Sequence, residues 1–345
     1  MKGVIDPSRV HSIAARLIAI ILGAILLTAC EAKLDLSEVE KERQQPTARF
    51  DQFQAAARSD GTLVVVGSGG VVLHSTEGAR SWTRTELAIS GEPLTSPGLI
   101  DVTPCPDGSF SILDIGRRIW TSPDGIGGWQ PHAIEMADEP LALTCDPQGR
   151  IWVVGGFSSL LVSDDGGKSW QDFSFGEDAM LTTIQFLDRE YGVITGEFGA
   201  YYVTRDGGQS WEAPAVISDE FYPQDALFVS RDEGWVVGLT GLILHTTDGG
   251  MNWARQPSGT DVPLYGLAEA HGRIFAVGDH AVMLIYRDGT WREVPRDQNK
   301  FGYLRVVLPI AGGRVLVAGG AGTLATLDLR DRAIPMSEKV TNNAR

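Results

Sequence analysis

The stretch SDDGGKSW at residues 163–170 returns as TRDGGQSW ending at Trp211 and as TTDGGMNW ending at Trp253. A degenerate copy, STEGARSW, ends at Trp82, and copies of altered length close at Trp129 and Trp291. Successive tryptophans of this series are 47, 41, 41, 42 and 38 residues apart. A period of this size means that one supersecondary unit is reused, and that its apolar faces are buried only by stacking against its neighbours.

Each octet follows a second shared unit, in which two apolar runs flank a glycine-rich turn: LVVVGSGGVVLHS, IWVVGGFSSLLVS, GWVVGLTGLILHT and IFAVGDHAVMLIY. YGVITGEFGAYYVT and FSILDIGRRIWTS are looser copies, and VLVAGGAGTLATL is a seventh with no octet after it. Short runs rich in Val, Ile, Leu and aromatics, separated by glycine turns, read as β-hairpins. A further strand-like run precedes each hairpin, as in LIDVTPCPDG or LFVSRDEG, so every repeat supplies strands A, B, C and D, with D entered at the tryptophan. Four strands repeated seven times predict an all-β, seven-bladed β-propeller of antiparallel blades. The 41 glycines and nine tryptophans fit that architecture better than a helical bundle.

The octet admits two readings. Asp165, Asp206 and Asp248 stand before Gly-Gly, where a carboxylate accepts N–H bonds from its own turn while glycine supplies unusual backbone angles. Trp170, Trp211 and Trp253 are then expected to wedge between blades, each indole N–H finding a local acceptor. The rival is a calcium or catalytic carboxylate, which the periodicity disfavours, because one copy per blade around the periphery cannot converge on a substrate. No metal or cofactor is expected, since no His/Cys cluster or phosphate loop appears.

The N-terminus has a different character. Lys2, Arg9 and Arg16 precede the apolar run LIAIILGAILL and then TAC, the layout of a secretory signal. LTAC at 27–30 resembles the bacterial lipobox, which implies diacylation of Cys30, against the plainer reading of an ordinary cysteine after an apolar run. The expected layout is a lipoprotein signal over 1–29, a tether over 30–46, the propeller over 47–336 and a tail over 337–345. Glu31 after the cysteine leans toward the outer membrane, so the expected place is the periplasmic face of a bacterial membrane. The net charge of −15, with no Lys/Arg run, excludes nucleic acid as a partner. Closure of the ring needs an outer strand for the last repeat, from either 328–334 or 33–39.

The octet resembles the Asp-box, or bacterial neuraminidase repeat. Sialidases share it, but the arginine triad and an RIP motif near the start are not evident; RAIP at 332–335 falls at the wrong end. The pattern in VVGLTGLILHTTDGGMNW, joined to a lipoprotein signal, resembles the photosystem II stability and assembly factor family. That resemblance implies a non-enzymatic protein that binds polypeptides and assists assembly of a membrane complex, monomeric and held to the membrane by lipid. It also implies a basic arginine patch, from which this acidic chain departs. The runner-up is a secreted carbohydrate-active enzyme using paired carboxylates.

Binding residues are expected on the face carrying the B–C turns and D–A loops. The turns offer Arg117, Arg118, Phe157, Glu197, Phe198, Asp279 and His280, and the loops offer Tyr222, Tyr265, Tyr303 and Arg305; each competes with a packing role. Cys105 and Cys145, 40 residues apart near the ends of adjacent A strands, are either a disulfide or two buried thiols.

Overall fold

The computed structural model describes residues 45–89, 96–218, 221–295 and 302–329. Seven antiparallel sheets follow one another along the chain, each with strands in sequential order. The A strands are Phe53–Ser59, Leu99–Pro104, Pro140–Cys145, Leu181–Phe186, Pro223–Phe228, Leu264–Ala270 and Leu304–Ile310. Neighbouring A strands pack side by side, and the first packs against the last, so the blades form a ring around a channel. This is the seven-bladed propeller that the period implies.

Among the described residues the blades are not identical. In the fourth, the outer strand shrinks to a single bridge between Val203 and Glu212. The seventh shows three strands, and the segments expected to complete it, 33–39 and most of 328–334, lie outside the described residues, as does Cys30. The chain enters along the seventh blade: Gly322 donates its N–H to the Asp51 carbonyl at 2.9 Å. Arg84, on the outer strand of the first blade, then pairs with buried Asp51 at 2.8 Å.

The core is divided. Seven apolar clusters lie between successive blades, and the one joining Phe53, Leu63 and Leu73 to Ile310 and Leu316 closes the ring, helped by side-chain bonds such as Arg314 to the Gly78 carbonyl. Strand B is buried from end to end in four blades and everywhere but its first residue in the other three, because blades press on both its faces, which accounts for the near-continuous apolar runs. Six of the seven B strands end in glycine for a steric reason. A Cβ at Gly155, Gly196 or Gly238 would run into the backbone oxygen of Glu139, Met180 or Tyr222, just before strand A of the same blade. The second blade has Asp114 at this place, buried and accepting the Gly116 N–H and the Trp120 indole N–H.

Candidate binding face and channel

The octets build the face opposite the B–C turns. Asp165 accepts N–H bonds from Lys168 and Ser169 at 3.0 and 2.9 Å and the Ser169 hydroxyl at 2.6 Å. Ser163 donates to Asp165 and accepts from Gly167. The same clamp recurs around Thr204, Asp206 and Ser210 and around Thr246, Asp248 and Asn252. The hydroxyl and amide donors hold Asp206 down at about 2, and Asp165 and Asp248 are lowered by equivalent donors. These carboxylates are exposed, but each oxygen accepts bonds from its own turn, and the acids serve the turn.

The tryptophans wedge between blades, but their N–H groups differ from expectation. Trp253 donates to the Gly250 carbonyl at 3.0 Å, whereas Trp170 and Trp211 find no protein acceptor. Aromatic packing governs the latter orientation: Trp211 meets Trp152 and Phe186 edge-on, with centroids 6.0 and 5.9 Å apart.

A cavity of about 300 Å³ occupies the ring axis and is lined by all seven A strands. Two of its residues escaped the sequence reading. Asp101 accepts the N–H of Val102 at 2.8 Å and of Leu143, in the next blade, at 2.9 Å. Asp225 does the same with Ala226 at 2.8 Å and Leu267 at 2.7 Å. Both sit at a bulge in strand A, which turns the side chain toward the neighbouring blade. Adjacent A strands share no ladder, so these carboxylates serve as inter-blade clamps. Enclosure by protein pushes Asp101 up to about 6 and Asp225 up to about 7; the N–H bonds and the Arg305 charge offset this only partly. The available signal was an acid inside an apolar strand, in LIDVTP and PQDALF.

These opposing shifts give a pH prediction. The channel acids bind protons more tightly folded than unfolded, so they favour the folded state at low pH, and this is lost as pH rises toward about 7. The octet acids are depressed, so their contribution is present above about pH 4 and is lost below it. Thermal stability is expected to peak near pH ~4, and Asp225→Asn to flatten the decline between about pH 4 and 7. A midpoint flat across that range, or an unchanged slope in the variant, would count against the assignment.

The candidate binding residues all occur on the B–C and D–A side, but in separate groups. Tyr265 and Tyr303 meet edge-to-face at 6.1 Å beside exposed Arg305, and Gln54 donates to the Tyr303 hydroxyl at 2.8 Å. Asp279 and His280, 3.4 Å apart, form the adjoining turn of the sixth blade. Burial raises both tyrosines, and the Asp279 charge adds to the effect at Tyr265. Glu197 accepts the Met180 N–H at 3.1 Å, and the Tyr222 hydroxyl lies 3.9 Å from the Met180 sulfur. Phe157 and Phe198 project into solvent at 55% and 61% exposure. On the second blade Arg117 is exposed, whereas Arg118 turns back to buried Asp114 at 3.5 Å. The sequence reading overlooked Ile115, Val216 and Leu239, exposed apolar residues on this same face. Among the described residues, no group of three or more His, Cys, Asp or Glu is placed to hold a metal.

Known proteins with this arrangement include assembly factors, lyases and a glycosidase. The photosystem II assembly lipoprotein Ycf48 of Synechococcus sp. (strain RCC307) is 32% identical over 116 residues, covering 32% of this chain and 34% of that protein. The match thus spans about a third of that relative's length. A solved YCF48 bound to D1 peptide superposes with a TM-score of 0.67 at 15% identity, covering 82% of this chain and 93% of the other. The GH74 xyloglucanase from Xanthomonas campestris superposes equally well, at 0.67 and 14% identity over 84% of this chain and 54% of its own. At such identities only the fold is shared. The sequence model of the photosynthesis system II assembly factor YCF48 family, however, matches residues 105–199 and 170–290, more than half of the chain. The chain belongs to that family.

Proposed function

We propose that this protein is a non-catalytic assembly factor that holds a polypeptide segment of a membrane-protein complex against its B–C face, with lipid on Cys30 keeping it at the membrane surface. The observation that carries this reading is the division of labour between the two faces. The octet carboxylates are consumed by their own turns, while the opposite face exposes phenyl rings and a channel mouth of tyrosine and arginine. Aromatic and arginine side chains are common interface anchors. Family membership and a relative solved with a D1 peptide point the same way, and the lipoprotein relative supports the anchor.

One feature favours an enzyme. Two enclosed channel carboxylates with raised pKa values fit the demands of acid catalysis in a glycosidase. Each, however, spends both oxygens on backbone N–H groups, an arrangement that suits a clamp.

Photocrosslinking from native membranes discriminates the two. With a benzophenone side chain at position 198, the adduct is expected to contain an identified integral membrane subunit, while a screen of glycan substrates shows no turnover. Glycan hydrolysis abolished by Asp101→Asn or Asp225→Asn, with no membrane-protein adduct, would sink the assembly reading.

A further inference from the structure

Six of the nine large apolar side chains most exposed among the described residues lie on the B–C and D–A side: Phe50, Ile115, Phe157, Phe198, Val216 and Leu239. All three exposed phenylalanines or other aromatics of that group are here, since the opposite side shows Ile126, Val229 and Met251. Ile115, Phe157, Phe198 and Leu239 occupy the B–C turns of four consecutive blades and so form an arc.

The two phenyl rings are more than half exposed. Phe157 and Phe198 sit at φ values of 52° and 56°, in the left-handed region. There a side chain other than Gly, Asn or Asp is disfavoured. The first blade uses Gly69 at the equivalent place, whereas the fifth, sixth and seventh carry Thr240, His280 and Ala321 there. Exposure of more than half of each side chain to water adds a further cost.

The acids around the arc identify its occupant. Ser158 donates its N–H to the Ala179 carbonyl, and Glu197 donates its N–H to the Met180 carbonyl. The loop 173–180, bearing exposed Glu177 and Asp178, is therefore held between the two phenyl-tipped turns. On the other side of Phe157, Gly156 donates to the carbonyl of exposed Glu139. The turns 156–159, 197–199 and 239–241, with the loops 134–139, 173–180 and 257–263, hold seven acids and no Lys or Arg.

Resting on the polypeptide-binding reading, we infer that the arc over the third to fifth blades docks a segment in which Lys or Arg alternates with apolar side chains, the phenyl tips taking the latter and the intervening loops the former. Charge complementarity selects this partner. An anionic lipid surface would be repelled by the same acids, and a second copy of a chain with net charge −15 would meet like charge.

The test uses a short fluorescein-labelled peptide alternating Lys with Leu, and its counterpart with Glu at every Lys. Fluorescence anisotropy is expected to show the Lys peptide binding at least about tenfold more tightly, with affinity falling as salt rises. Phe157→Gly combined with Phe198→Gly is expected to weaken it about tenfold while leaving the melting temperature unchanged or raised, because glycine relieves the left-handed strain. Glu177→Gln with Asp178→Asn is expected to weaken it mainly at low salt. Preference for the Glu peptide, lost in Arg305→Gln, would leave polypeptide binding intact and overturn the arc. Failure of both peptides alongside an intact crosslink from position 198 would overturn the basic, apolar character assigned to the segment while leaving the face as a polypeptide-binding surface; loss of that crosslink too would remove both readings. Phe-dependent co-sedimentation with phosphatidylcholine vesicles would replace the segment by a lipid surface. A dimer abolished by the glycine pair would replace it by a second copy.

Discussion

Trp152→Ala is expected to cost about 3–5 kcal/mol of folding stability, the range for emptying a large aromatic site in a packed core. Trp152 is fully buried at the junction of the third and fourth blades. Its ring meets Phe186 at 5.4 Å, Trp211 at 6.0 Å and Phe173 at 6.2 Å. The second glycine of the fourth blade's octet, Gly208, lies directly on the indole, and a Cβ there would collide with it. Above the ring, Arg150 stands 5.0 Å from the centroid. Polar bonding adds to the loss: the indole N–H donates to buried Asp146 at 2.8 Å, an acid that Arg150 also pairs at 2.7 Å. Truncation would thus open a cavity and remove one donor from an enclosed carboxylate. Trp152→Phe keeps an aromatic in the site and should lose less than half as much. Urea denaturation with tryptophan-independent detection, such as circular dichroism, reads the difference. A loss below about 1 kcal/mol for Trp152→Ala would mean that the octet does not rivet the blades together.

The octet is also where sequence and structure agree most closely, for a physical reason. Its clamp is local: Ser163, Asp165, Gly167 and Ser169 bond to one another within seven residues, so spacing along the chain is spacing in space. The period then converts a local motif into an architecture. What depends on contacts between blades was less legible. Asp101 and Leu143 are 42 residues apart, and nothing in LIDVTP distinguishes an acid clamping the neighbouring blade from one capping a turn. The missing acceptor for Trp211 has the same origin, because its ring is oriented by Trp152 and Phe186 from other strands. Among binding candidates, Phe157 and Phe198 were legible from turn position, since a glycine-rich turn leaves its tip exposed. Leu239 was not, because a leucine between apolar runs reads as strand. The separation of Tyr265, Tyr303 and Arg305 from Phe157 and Phe198 follows from which blades carry them, and motif spacing does not reveal that as a division of the face.

Breaking the Cys105–Cys145 bond is expected to cost about 4 kcal/mol by the chain-entropy estimate for a loop of this length. The two cysteines are 40 residues apart and joined in the structure, with their Cα atoms at 5.2 Å. They lie at the ends of the second and third A strands, where the Cys145 N–H donates to the Thr103 hydroxyl at 3.3 Å. Neighbouring A strands share no ladder, so this seam is held by that hydroxyl, the Asp101 carboxylate, the packed cluster around Leu143 and Ile151, and the covalent link. The link acts mainly on the unfolded chain, by denying it the freedom of a full repeat. Reduction, or Cys105→Ala with Cys145→Ala, should therefore lower the urea midpoint and also increase the denaturant slope, because the released chain exposes more surface. The alanine pair separates this effect from any disturbance by the reductant, since it leaves no buried thiol. Coincident unfolding curves for oxidised, reduced and alanine forms would show that the bond contributes nothing. Alkylation of both thiols in unreduced protein would show that it does not form. An oxidising compartment preserves such a bond, so protein recovered from one without reductant should retain this covalent seam between the second and third blades.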